Sequence, residues 1–197
     1  MTYEFAAALI VFAFVSSVTP GPNNLMLMAS GVNIGVLRSL PHMIGISTGF
    51  VIMSIILGMG LVQLLETYPL VHQALKVASV VYMLWLAWKI ANASAPKSKG
   101  EGAKPLNILQ AAAFQWVNPK AWAMATTALT VYSPTGDFKS TLMVSVIFGC
   151  VNFPTISFWA ILSQNFRKIL SNTRNLRIFN ITMALLLVAS LWPILQA

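Results

Sequence analysis

The chain has 197 residues, 57% of them hydrophobic and 8% charged, and its mean hydropathy of +0.77 excludes an ordinary soluble domain and marks an integral membrane protein. Twelve Lys and Arg against four Asp and Glu give a formal charge of +8; in so apolar a chain that excess belongs at the cytoplasmic ends of membrane helices, which excludes nucleic acid as the partner it implies. A single cysteine, Cys150, excludes an internal disulfide, and His42 and His72 lack metal-ligand spacing, so neither a metal nor any other cofactor is expected.

A membrane helix needs ~20 mostly apolar residues to cross a ~30 Å hydrocarbon layer. Six stretches meet that length approximately. The first residues carry Glu4 and no Lys or Arg, unlike the head of a cleavable signal, and read as mature structure. The first span is 5–32, broken near its middle by "TPGPNN" at 19–24. The second is 41–63, where Gly45 and Gly49 have the small-xxx-small spacing that permits close helix contact. The third, 69–91, ends in Tyr82, Trp85, Trp88 and Lys89, an interfacial belt. A polar stretch rich in Gly, Pro and Lys follows and reads as a flexible cytoplasmic linker over 92–106. The fourth span, 107–131, is broken by "QWVNPKAW" at 115–122; the fifth is 138–162 and the sixth 176–195.

Short cytoplasmic loops collect Lys and Arg, and this sets the orientation. With the N-terminus outside, the inner segments hold Arg38, then Lys89, Lys97, Lys99 and Lys104, then Arg167, Lys168, Arg174 and Arg177. Lys76 and Lys139 fall outside and Lys120 within a span. Both termini are therefore expected to face outward. A five-span chain with a re-entrant 107–131 would move the Arg167 to Arg177 cluster outside, against the charge rule.

Three spans is an odd number, so the second half enters the membrane from the side opposite to the first. The expected fold is all-α: six transmembrane helices as two inverted three-helix repeats, 1–91 and 107–197, with helices 1 and 4 broken. Paired Pro- or Gly-interrupted spans in such repeats point to a substrate site near the midplane. Pro20 and Pro119 stand 99 residues apart, and Gly49 and Gly149 of the following helices 100 apart.

Proline lacks an amide hydrogen and clashes with the carbonyl four residues back, so Pro20 and Pro22 free the carbonyls of Ser16 and Val18, and Pro119 that of Gln115. A bare carbonyl facing lipid costs several kcal/mol, so these groups must face protein, water or a ligand. The restarted helix, with Thr19 or Gly21 as N-cap and a proline in the first position, aims backbone amides into the interior, a seat for a carboxylate. Asn23, Asn24 and Asn118 add side-chain amides. Lys120 lies 13 residues past Asn107, ~20 Å along a helix, where an ammonium needs an anionic or carbonyl partner. Glu4, Glu66, Glu101 and Asp137 all fall in loops or at helix ends, which leaves the cargo as a candidate partner. The candidate binding residues are thus Thr19, Pro20, Gly21, Pro22, Asn23, Asn24, Gln115, Asn118, Pro119 and Lys120, with Asn152 of "FGCVNFP" as a weaker addition. Two plainer readings stand beside this one: the prolines only kink packed helices, and Lys120 only caps freed carbonyls.

In order, "TPGPNNLMLMASGVNIG", "PHMIGISTG", "YMLWLAWKI" and "FQWVNPKAW" resemble the LysE/RhtB family of bacterial amino-acid exporters over nearly the whole chain, and "TPGPNN" with "WLAWKI" is most similar to its cysteine and O-acetylserine branch. The resemblance implies export of an amino acid or related metabolite across the bacterial inner membrane, driven by an ion or proton gradient. It carries the family's PGP motif to Pro20, Gly21 and Pro22, and its second motif to Asn118, Pro119 and Lys120. With no mid-membrane acid to carry a proton, deprotonation of Lys120 is the alternative carrier. The residues separately favour a neutral or anionic amino acid over lysine or arginine, whose side chains need a buried carboxylate. The partners expected are that solute, a coupling proton or ion, the lipid bilayer and, left open, a second copy of the chain. A passive channel is the rival reading; an embedded enzyme lacks a nucleophile and base, and a pump acting alone lacks a phosphate-binding loop.

Overall fold

The computed structural model describes residues 3–61, 67, 69–93, 106–133, 136–167, 172–189 and 191. Every regular element among them is helical. Helix α1, Tyr3–Val18, stops where Pro20 and Pro22 remove two donors, and α2, Pro22–Ile34, restarts at a bend of 56° with Pro22 in its first position. Gly35, at φ 92°, closes α2 in a conformation that favours glycine. A 3-10 turn, Leu37–Ser39, leads into α3, Leu40–Ile56, which runs on through a π-helical turn, Leu57–Leu61. Helix α4 is Pro69–Ala91.

The second half opens with α5, Ile108–Phe114, started by a reciprocal capping box between Asn107 and Gln110. A 3-10 turn, Gln115–Val117, and extended backbone at Asn118 separate α5 from α6, Pro119–Tyr132. Helix α7, Phe138–Arg167, carries Pro154 without ending there, and α8 is Thr173–Ala189. The two breaks expected from sequence are therefore both present, each with a proline as the first residue of the restarted helix.

By length and composition, Leu37–Leu61 and Phe138–Ser163 each suffice to cross a membrane, and α1 with α2 makes a third such span if the bent pair is one. Elsewhere among the described residues the apolar helices are shorter, such as Val80–Ala91 and Ile108–Val117, the latter ended by the break at Asn118. Most of the expected linker, the C-terminal end of the second expected span and much of the last expected span's C-terminus lie outside the described residues.

Helix α3 packs on α5 and α7, α7 also on α1 and α2, and α4 on α8. Gly45 and Gly49 make the first contact close: a Cβ at Gly45 would meet the backbone of Ile108, and one at Gly49 the backbone of Ala112. Between α3 and α7, Phe50 and Phe148 stack at 4.5 Å and Ser145 donates to Ser54 at 2.9 Å. The expected aromatic belt divides. Trp85 and Trp88 are exposed and Lys89 lies over the Trp85 ring at 4.5 Å, whereas Tyr82 packs inward on Phe114. Large apolar side chains on the outer faces, among them Val11 and Phe14 of α1 and Leu185 of α8, stay exposed, as a lipid solvent requires.

Candidate functional site

The first break is built from carbonyls that have lost their helical donors. Val18 O, freed by Pro22, accepts from the Trp159 indole at 3.2 Å. Asn24, almost fully buried, donates through Nδ2 to Ser17 O and Thr19 O, each at 2.9 Å. Thr19 turns its hydroxyl back to Val15 O at 2.6 Å and finishes α1, so Gly21 alone is the N-cap of α2, with extended backbone and no side-chain cap. The second break follows the same logic. Gln115 O accepts from Asn118 N at 3.3 Å, the Trp122 indole donates to Trp116 O at 3.0 Å, and Asn118 Oδ1 caps Lys120 N at 3.2 Å.

Two contacts join the breaks across the molecule. Asn23 and Gln115 form a reciprocal amide pair, with Asn23 Nδ2 donating to Gln115 Oε1 at 2.9 Å and Gln115 Nε2 to Asn23 Oδ1 at 3.2 Å. Lys120 reaches over from α6 and donates through Nζ to Thr19 O and, at 3.4 Å, to Pro20 O. The ammonium thus caps carbonyls of the opposite half. It has three N–H groups and two carbonyls take two of them, so one remains. Gly21 makes that reach feasible: a Cβ there would stand 2.5 Å from Lys120 Cδ and 3.2 Å from Nζ.

Between the breaks lies a small pocket whose polar lining is Ser17, Gly21, Asn23, Asn24, Asn118, Lys120 and Asn152. Phe50, Ala121, Met124 and Ile156 complete it, and none of these described lining residues is a carboxylate. Of the residues singled out in the sequence, Gly21, Asn23, Asn24, Asn118, Lys120 and Asn152 share this cavity. Thr19, Pro20, Pro22, Gln115 and Pro119 do not line it; they shape it through backbone, helix starts and the amide pair. The arrangement offers one cation and several amides to a small polar solute, with an apolar wall opposite.

A family model described as LysE type translocator matches residues 14–189, which contain both breaks and the whole cavity. The chain belongs to the LysE family. Proteins named cysteine/O-acetylserine efflux protein, from Escherichia coli (strain K12) and Shigella sonnei (strain Ss046), are each 30% identical to it over 190 residues, covering 95% of this chain and 96% of theirs. No solved structure matches. The LysE-type motifs read from the sequence as a resemblance are thus those of a member, and the apolar helices belong to a membrane translocator.

Sequence reasoning missed several contributors to this LysE-family site. Ser17 is buried with its hydroxyl unpartnered among the described residues, and its position just before the break was a signal that went unused. Trp159 caps Val18 from 141 residues away, and no local pattern announces that. Phe50 and Met124 supply the apolar wall, and in the sequence they are indistinguishable from other core residues.

Proposed function

We propose that this LysE-family chain is a secondary transporter that exports a neutral or anionic amino acid, or a close metabolite, across the bacterial cytoplasmic membrane, coupled to a proton or ion gradient. The observation that carries the reading is the cavity in which Lys120, already shared between carbonyls of the other break, faces amides and no carboxylate. A cation with a donor to spare attracts the cargo's carboxylate, and the absence of an acid among the described lining residues disfavours cargo with a cationic side chain. The names of the relatives, cysteine and O-acetylserine efflux, agree with small neutral amino acids as the class.

The six-span inverted repeat with both termini outside belongs to the same proposal. Exchanging the halves turns the α1–α7 contact into α5–α3 and maps the α3–α7 and α4–α8 contacts onto themselves, and all four are observed packings. In this arrangement the halves rock about the cavity, and each break contributes unwound backbone only where it faces protein or cargo. The test is a panel of labelled cysteine, O-acetylserine, lysine and arginine in reconstituted vesicles under an imposed pH gradient. Concentrative transport of the neutral pair that collapses with an uncoupler is expected. Preference for arginine overturns the charge argument, and uncoupler-insensitive flux makes the protein a facilitator.

A further inference from the structure

A second and larger cavity, partly open to its surroundings, lies toward the C-terminal end of α2, where α3 begins and α4 ends. It is largely apolar, yet two of the residues lining it carry buried polar atoms that have no partner among the described residues. Among the described residues, His42 is 2% exposed with no hydrogen bond at either ring nitrogen, and Asn33 is 6% exposed with none at its Oδ1. The Asn33 amide nitrogen is already fixed, donating to Ala29 O at 2.7 Å, and this leaves the oxygen as its free end. Burying polar groups unpaired is costly, so a cavity lined by two such side chains is built for something that enters it. Lys89 stands on the same wall, exposed and held over the Trp85 ring.

The two cavities share one face of one helix. Asn23 lines the cavity between the breaks, and Met26, Ser30 and Asn33 line the second, at spacings of three, four and three that keep all four on one side of α2. Ten residues of helix put about 15 Å between Asn23 and Asn33. The Asn23–Gln115 amide pair stands beside the first cavity, and Met26, in one apolar cluster with Phe114, beside the second.

We propose that this second cavity is a loading site for the cargo at the inner face, taking a zwitterionic amino acid with its ammonium on Asn33 Oδ1 and an imidazole nitrogen of His42 and its carboxylate toward Lys89. The proposal rests on the exporter reading and on the orientation that places the end of α2 inside. The chemistry is complementary: the unpartnered Asn33 oxygen and one nitrogen of a neutral imidazole are acceptors, the rim carries a cation, and no carboxylate is among the described lining residues. The cavity between the breaks, holding a cation and amides, then receives the same solute carboxylate first.

The experiment uses the full chain in inside-out membrane vesicles, with labelled O-acetylserine as the probe. His42→Leu and Asn33→Ala are expected to raise KM at least tenfold while kcat stays within about twofold of wild type. His42→Gln, which keeps a donor and an acceptor, is expected to restore KM to within about threefold. An unchanged KM in the first two variants overturns the proposal, and a loss of kcat at constant KM in variants of normal abundance makes the residues structural and overturns it as well. Should those variants not fold, Ser30→Cys in a Cys150→Ser chain is labelled with a membrane-impermeant thiol reagent from the inner face. O-acetylserine is expected to slow that labelling at least fivefold, and no protection overturns the loading site. If wild-type vesicles take up neither O-acetylserine nor cysteine, the exporter reading fails on its own, and protection of Ser30→Cys then decides separately whether the cavity holds the solute.

Discussion

Replacing Lys120 with Met separates the two roles that one ammonium can have. Methionine keeps an unbranched stem of similar length, so the packing beside Gly21 survives and only the charge and its donors go. Thr19 O loses one donor but keeps Asn24 Nδ2 at 2.9 Å; Pro20 O loses its Lys120 donor. Leaving one carbonyl short of a partner costs about 1–3 kcal/mol, and removing an ammonium from membrane depth relieves about 3 kcal/mol on insertion scales. These terms nearly cancel, so the variant should insert, purify and unfold thermally much as wild type does. Transport should fall sharply. A hydrogen bond between a charged donor and a carboxylate is worth about 1.5–3 kcal/mol, which converts to a loss of about ten- to a hundredfold in efflux. The assay is uptake of labelled O-acetylserine into vesicles of known protein content, alongside a melting curve in detergent. Lys120→Met transporting within about twofold of wild type refutes the cargo-binding role and leaves the carbonyl cap as the residue's only one. A variant that aggregates while Lys120→Gln folds and transports does the same.

The contacts that surround Lys120 give three further outcomes. Asn23→Ala and Gln115→Ala each leave the other amide short of a partner and should each cost about 1–3 kcal/mol, but the double variant should cost less than their sum by about 1–2 kcal/mol; additive denaturation midpoints in detergent would sink the pairing. Gly21→Ala places a methyl 2.5 Å from Lys120 Cδ, so the flexible side chain should swing off the Thr19 and Pro20 carbonyls. Efflux is expected to fall at least tenfold with the melting temperature little changed, and Lys120→Met added to Gly21→Ala should lower it no further. Pro20→Ala with Pro22→Ala restores two backbone donors, and the healed helix should raise helical circular dichroism slightly while export is lost; normal export in that chain would make the break a packing feature.

The sequence carried the breaks because proline chemistry is local. Pro20, Pro22 and Pro119 each remove a donor wherever the helix runs, and Gly21 next to Pro22 already has the pattern of a restart. Gly45 and Gly49 announced a close contact by spacing alone, though not that α5 would be the partner. The rest depends on tertiary geometry. Thr19 and Gly21 were equal candidates for the N-cap, and only the bond from Thr19 Oγ1 back to Val15 O decides between them. Lys120 was read as seeking either cargo or carbonyls; the fold supplies carbonyls, and their number leaves room for cargo as well. Tyr82 sat in an evident belt of aromatic residues, yet a ring facing Phe114 on α5 is invisible from its neighbours in the chain. His42 gave no signal at all, since a lone histidine in an apolar span reads the same whether paired or orphaned.

The contacts between the breaks also constrain how such a transporter can move. Lys120 belongs to the second half and the carbonyls of Thr19 and Pro20 to the first; Gln115 and Asn23 are divided in the same way. Any rocking of one half against the other has to lengthen both sets of bonds at once, leaving an ammonium, two carbonyls and two amides short of partners. At about 1–3 kcal/mol for each group left unpaired, empty rocking carries a barrier that a bound zwitterion lowers, because its carboxylate can take the Lys120 donors as the carbonyls withdraw. A solute without a carboxylate cannot make that exchange. On this reasoning the same Lys120 that holds the resting structure together is what ties movement of the halves to the presence of cargo, and an amine lacking the carboxylate should neither be exported nor compete with O-acetylserine.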